Sequence, residues 1–237
     1  MGMRCTNGRV FGAELLDTAP REQAERSLAD LVRLNRYFGG HFVLRRMLSE
    51  LVRPSERFSV LDAGAASGDM AGVIRSAYPK ARVTCFDQRP LHLASAPPGK
   101  VAGDAFRLPF APRGFDFVFS SLFLHHFPNR EVIALLRSFA AVARRAVLAI
   151  DLHRHPFAYY FTPATQWLLR WQDLTVHDAM LSVESGFHRR ELLDLAHAAG
   201  LAAANVRAHY PWFRLSLIAP VQGTASRPPV RDPNSPL

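Results

Sequence analysis

The stretch Phe58-Ser59-Val60-Leu61-Asp62-Ala63-Gly64-Ala65-Ala66-Ser67-Gly68-Asp69-Met70 constrains this chain more than any other. Val60 and Leu61 suit a buried strand, and Ala71, Val73, Ile74 and Ala77 continue at helical spacing. Between them Gly64, Ala65, Ala66, Ser67 and Gly68 carry almost no side-chain bulk. A backbone of this kind can approach a ligand closely. In an open α/β sheet that ligand lies at the carboxyl ends of the strands. A dinucleotide fingerprint would need glycines at positions 64, 66 and 69, where this chain has Gly64, Ala66 and Asp69. An aspartate there would meet a pyrophosphate as anion to anion, so the turn favours a ligand without phosphate. The bland alternative is an ordinary strand-to-helix turn.

Three further segments follow in order. Ala81 to Asp87 reads as a second strand ending in an acid, and Asp87 lies 19 residues past Gly68. That is close to the ~20 expected for a carboxylate accepting from ribose hydroxyls. Gly103-Asp104-Ala105 precedes a loop, Leu108 to Arg113. Gly114 to Ser121 reads as a buried strand running into Leu122-Phe123-Leu124-His125-His126-Phe127.

The run Asp62-x-Gly64-x-Ala66-x-Gly68 resembles the first motif of class I S-adenosylmethionine (SAM)-dependent methyltransferases, and Ser120 to Phe127 resembles their fourth. The resemblance covers about residues 58 to 151. It implies a Rossmann-like, doubly wound, seven-stranded α/β sheet, mostly parallel with an antiparallel last strand, behind an N-terminal helical cap. It also implies SAM as cofactor. The cofactor-binding candidates are then Arg36, Asp62, Gly64, Ala65, Ala66, Gly68, Asp87, Gln88, Asp104, Ala105, Ser120 and Ser121. In that family an acid at the position of Asp104 accepts from the adenine amino group, and Arg36 would reach the SAM carboxylate.

The rest of the chain fills in around these motifs. Residues 1–56 are expected to form an arm and cap: a loose segment to Pro20, then helices Arg21 to Tyr37 and His41 to Val52 around Gly39-Gly40. Residues 57–220 would be the methyltransferase domain. Within it, Asn129 to Arg145 reads as a helix and Ala146 to Asp151 as a strand buried on both faces. An aromatic-rich excursion over 152–188 looks like a substrate lid, with a helix at Thr165 to Leu174 that sets Trp167, Leu168 and Trp171 on one side. Val176 to Val183 has no clear period. Arg189 to Ala199 is a helix stopped by Gly200, and Ala203 to Arg207 with Phe213 to Ala219 would be a closing hairpin. Residues 221–237, with prolines at 228, 229, 233 and 236, read as a disordered tail.

Composition narrows the class. Hydrophobic residues at 49% and charged residues at 21% are ordinary for a globular chain. No run of about 18 apolar residues signals a membrane span, and Met1 to Val10 lacks a signal-peptide core, so a cytoplasmic protein is expected. Cys5 and Cys85 cannot make a disulfide framework or a metal cluster, and no metal is expected. The net charge of +9 raises nucleic acid as a partner. Its arginines are scattered, however, with Arg45-Arg46, Arg144-Arg145 and Arg189-Arg190 on three separate expected helices, so a solvated surface is the simpler reading.

Methyl transfer from SAM needs alignment, and for a phenol it benefits from a base of pKa near the working pH. Histidine fits, and the base candidates are His126, His153 and His125, each near a strand's carboxyl end. Ser182-Val183-x-x-x-Phe187 resembles a subgroup of bacterial small-molecule methyltransferases of quinone and polyketide pathways. The aromatic load from Phe157 to Trp171 points to a flat acceptor. The leading expectation is O-methylation of a small, aromatic, phenolic or quinone-type acceptor by a monomer or homodimer. The alternatives are an RNA- or protein-modifying methyltransferase, a nicotinamide-dependent oxidoreductase and a non-catalytic SAM-binding subunit.

Overall fold

A computed structural model describes residues 8–12 and 20–221. Most of the expected arm and tail therefore lies outside the described residues. Seven strands form one sheet: β1 (Ser59–Ala63), β2 (Arg82–Asp87), β3 (Lys100–Ala102), β4 (Phe115–Ser121), β5 (Ala143–Leu152), β6 (Asn205–His209) and β7 (Arg214–Pro220). Their order is β3-β2-β1-β4-β5-β7-β6. The first five run parallel, while β7 lies antiparallel to both β5 and β6. The seven-stranded, mostly parallel sheet with an antiparallel last strand is thus as the sequence implies. The chain winds outward from β1 in one direction and returns at β4 to wind in the other. Between β1 and β4 lies the switch point at which such sheets bind ligands.

Both faces of the sheet are covered, and alternate residues of each strand serve opposite layers. Leu61, Val118, Val147 and Ala149 pack on one side with α4 (Asn129–Val142) and α7 (Arg189–Ala198), through Leu135, Leu136, Phe139 and Leu192. Val60, Phe117, Phe119, Leu148 and Ile150 pack on the other with α2 (Gly40–Ser49) and α3 (Asp69–Ala77), through Leu44, Leu48 and Ile74. Burial on both faces is why Ala146 to Ile150 reads as unbroken apolar sequence.

A third layer sits over the carboxyl edge. Helix α1 (Arg21–Tyr37) packs Leu34 with Trp171 and Val176, beside α5 (Pro156–Leu169) and α6 (Asp173–Ser185). Asp30 fixes the joint, because its Oδ2 accepts from Thr175 Oγ1 and the Gln172 N–H at 3.0 Å each.

Two local expectations are corrected. The helix read at Thr165 to Leu174 is two helices, α5 and α6, separated at Arg170 in the left-handed region (φ 54°). Trp167 is 81% exposed while Trp171, past that break, is buried, so the two do not share a face. Helix α5 turns apolar residues toward cavity, core and solvent at once, which erases the one-sided stripe that marks a helix in sequence. Second, Arg144 and Arg145 belong to β5, where Asp116 and Glu56 pair with them at 2.9 and 2.7 Å. The edge strand β3, unassigned from sequence, is three residues long and largely exposed, so its sequence carries no strand pattern.

The segment 8–12 is pinned by Arg9. Its guanidinium donates to the carbonyls of Ser185 (2.7 Å), His125 (2.9 Å) and Leu124 (3.4 Å), and to Asn129 Oδ1 (2.9 Å). It also stacks 3.9 Å over the buried Phe187 ring. Charge-assisted bonds of this kind are worth about 1.5–3 kcal/mol. Arg9→Ala should therefore cost about 2 kcal/mol in urea unfolding. Arg9→Lys should recover only part, because a single ammonium cannot span four acceptors on separate elements.

Candidate functional site

The switch point is built from short-range constraints. The N–H groups of Gly64 and Ala65 both donate to the Phe86 carbonyl, at 2.8 and 3.0 Å. The turn then passes through the left-handed region at Gly64 (φ 74°), Ala66 (φ 45°) and Gly68 (φ 73°), which explains its small residues. A Cβ on Gly64 would lie 2.4 Å from the Phe123 ring, so glycine lets the β4 loop close against the β1 turn. The register Ala63↔Phe86 brings the end of β2 alongside. There Asp87 accepts from the Ala66 N–H through Oδ2 and from the Arg89 N–H through Oδ1, both at 3.0 Å. Burial pushes the Asp87 carboxyl up, but bonds from His92 and these two amides outweigh it and hold the group below the usual range.

Asp62, just before the turn, has the opposite fate. It is fully buried, its Oδ2 has no partner, and burial with the nearby Asp69 and Asp87 charges pushes it up to about 7. Asp69 opens α3 and is held by His41 Nε2 at 2.9 Å and Asn35 Nδ2 at 3.3 Å. A carboxylate thus occupies the helix N-terminus that a pyrophosphate would need.

At the end of β4 the chain turns through Leu122 (φ 51°) into one 3-10 turn, Leu124–His126. His125 Nδ1 lies 2.6 Å from Asp151 Oδ1, and both residues are buried. Asp151 also accepts from the N–H groups of Leu124 (2.9 Å) and Leu152 (2.8 Å). Burial raises its pKa, yet the attraction of His125 and these bonds prevail and hold it below the usual range. The carboxylate assigns Nδ1 as the donor, which leaves Nε2 as the basic ring nitrogen.

These elements surround one cavity of about 1000 Å³. Asp62, Gly64, Ala65, Ala66, Asp87, Gln88, Asp104, Ala105, Ser121, His125 and His126 all line it. Asp104 Oδ1 accepts from the Phe106 N–H at 2.9 Å, and His126 is largely exposed at the rim. Four sequence candidates are placed elsewhere. Arg36 points to solvent with its guanidinium 5.5 Å over the Tyr37 ring, and Asn35 and Phe38 line the cavity in its stead. Gly68 caps α3, where a Cβ would meet Pro97 and Ala96. Ser120 is buried beneath the cavity, its Oγ without a partner. His153 sits behind the wall, its Nδ1 3.4 Å from Tyr210 Oη. Burial, with His188, His155 and Arg154 nearby, lowers its pKa to about 4.

Sequence reading passed over Asp151 as a site residue, along with Asn35, Trp212 and Arg214, all but the first of which line the cavity. Asp151 had a usable signal, since it ends an apolar strand as Asp87 does. Pro211 to Arg214 had none, because the β6–β7 connection reaches the site only through the antiparallel return of β7.

A family model described as a methyltransferase domain matches residues 60–146, the segment that builds the cavity floor. A malonyl-[acyl-carrier protein] O-methyltransferase from Dechloromonas aromatica (strain RCB) is 30% identical over 173 residues, covering 68% of this chain. The chain spans 60% of that relative's length. Among solved structures, a SAM-dependent methyltransferase from Aquifex aeolicus matches with a TM-score of 0.59 at 16% identity, covering 86% of this chain and 99% of that one. Human N-acetylserotonin methyltransferase in complex with SAM matches with a TM-score of 0.61 at 20% identity, covering 89% of this chain and 60% of that one. Sheet order, turn and sequence matches agree: residues 60–146 match a methyltransferase domain, and the chain has the fold of the SAM-dependent methyltransferases it resembles.

Proposed function

We propose that this chain transfers the methyl group of SAM to a hydroxyl oxygen of a small aromatic acceptor. The observation that carries the reading is a single cavity running from the Gly64–Ala66 turn to the buried His125–Asp151 pair. SAM supplies an electrophilic methyl carbon on a sulfonium. The residues present fit it. The unpartnered Asp62 carboxyl suits the ammonium of its amino-acid end. Asp87 retains acceptor capacity for ribose hydroxyls beyond its bonds to Ala66 and Arg89. Asp104 and Ala105 line the same end and suit the adenine.

At the other end the walls position the acceptor, an effect that supplies up to about 7–11 kcal/mol of the barrier. His125 Nε2 takes the hydroxyl proton, and ionised Asp151 stabilises the imidazolium that forms. Phe38, Phe161 and Trp212 on the walls suit a flat ring. Helices α5 and α6 act as the cover that excludes water. Several surface arginines are engaged by carboxylates, among them Arg144, Arg145 and Arg207. That supports a small acceptor over a nucleic acid. Among the described residues no helix is long and apolar enough to cross a membrane.

Two outcomes test the reading. With radiolabelled SAM and a panel of phenols, His125→Asn should lower turnover by roughly 10²–10⁴-fold. Asp151→Asn should do nearly the same, and both should leave S-adenosylhomocysteine affinity intact. Equal activity of His125→Asn and wild type would exclude the base. The second outcome concerns pH. The Asp62 carboxyl is ionised only above about 7 in the free protein, so S-adenosylhomocysteine should bind more weakly as pH falls below 7. Asp62→Asn should flatten that dependence in calorimetric titrations at pH 5.5 to 8.5.

A further inference from the structure

Among the described residues, the buried side-chain atoms Asn35 Oδ1, Asp62 Oδ2, Ser121 Oγ, Thr162 Oγ1 and Arg214 Nη1 have no hydrogen-bond partner, and every one of these residues lines the cavity. Buried polar atoms are almost always satisfied in folded proteins, so their convergence marks ligand-facing surface. Asp62 belongs to the cofactor end. Arg214, on the opposite side of β4 and β5 from β1, is the costliest of the set, an arginine only 4% exposed.

Its position is fixed from two sides. Arg214 opens β7 opposite Leu152 of β5, which also lines the cavity, and it follows Phe213 in the left-handed region (φ 49°). The nearest acid acting on it is Asp151, but that carboxylate is already taken by His125 and two backbone amides. No carboxylate oxygen of a described residue lies within ion-pair distance of Arg214. A buried cation with Nη1 unsatisfied and no ion pair among the described residues destabilises the free protein and is relieved when an anion enters.

Resting on the methyltransferase reading, we infer that Arg214 is the anchor for a carboxylate carried by the methyl acceptor. The planar fork of arginine matches a carboxylate through two parallel bonds. Trp212 and Phe213, the residues preceding it, line the cavity and suit the ring that bears the acid group. The substrate class is thus an aromatic hydroxy acid rather than a neutral phenol or quinone.

The test is calorimetric titration of protein saturated with S-adenosylhomocysteine, using 4-hydroxybenzoate, its near-isosteric neutral amide 4-hydroxybenzamide, and inorganic phosphate. Wild type should bind the acid at least ~10-fold more tightly than the amide. Arg214→Gln should abolish that preference, Arg214→Lys should keep part of it, and S-adenosylhomocysteine affinity should be the same in all three proteins. Equal binding of acid and amide by the wild type, or a preference that survives Arg214→Gln, would overturn the inference. Phosphate binding tighter than the acid would overturn the carboxylate assignment. If Arg214→Gln lost S-adenosylhomocysteine binding through misfolding, the wild-type comparison and the lysine variant would still decide. A wild type that does not bind S-adenosylhomocysteine would instead overturn the methyltransferase reading beneath it.

Discussion

The placement of β1 between β2 and β4 is the constraint on which everything else in this protein depends. Its register sets Ala63 against Phe86 on one side and Asp62 against Phe119 on the other. Because β1 is buried on both faces, slipping that register by one residue would exchange the two apolar layers. The pairing is therefore strongly specified. Once it is, the turn after β1 has one place to go, over the end of β2, and the Phe86 carbonyl and Asp87 carboxylate hold it there. The β4 loop can then close on Gly64 only because that residue lacks a side chain.

Three acids at strand ends show how the same residue type is given different work by its surroundings. Asp87 is ringed by donors and stays ionised. Asp151 is more deeply buried, yet His125 and two amides keep it below the usual range as well. Asp62 has an oxygen without a donor and neighbours of its own sign, and its pKa rises. The first two suit fixed roles, one holding hydroxyls and the other orienting an imidazole. The third would suit a cationic group. Arg214 is the mirror image, a buried cation with Nη1 unsatisfied among the described residues, and it lines the same cavity.

What the sequence made legible follows from the range of the interactions. The strand-turn-helix at Val60 to Ile74 and the acid ending β2 are local patterns, and both were readable without a structure. The buried run of β5 was readable because burial on both faces leaves no polar interruption. The site's acceptor end was less legible. His125 and His126 are adjacent in sequence, and only Asp151, reached across the β4–β5 pair, separates the buried histidine from the exposed one. His153 follows a strand end as the others do, but it turns behind the wall toward Tyr210. Arg36 and Asn35 are likewise neighbours, and the phase of α1 directs Asn35 inward and Arg36 to solvent. Arg214 was hidden most deeply, since its place beside Leu152 exists only once β7 has returned antiparallel.

The most direct measurement of the central claim is calorimetric titration of the full-length protein with S-adenosylhomocysteine and, separately, with NADH. The account predicts saturable binding of the sulfur ligand at one site per chain and none of the dinucleotide, because Asp69 occupies the helix N-terminus that a pyrophosphate would need. Binding of NADH without binding of S-adenosylhomocysteine would contradict it.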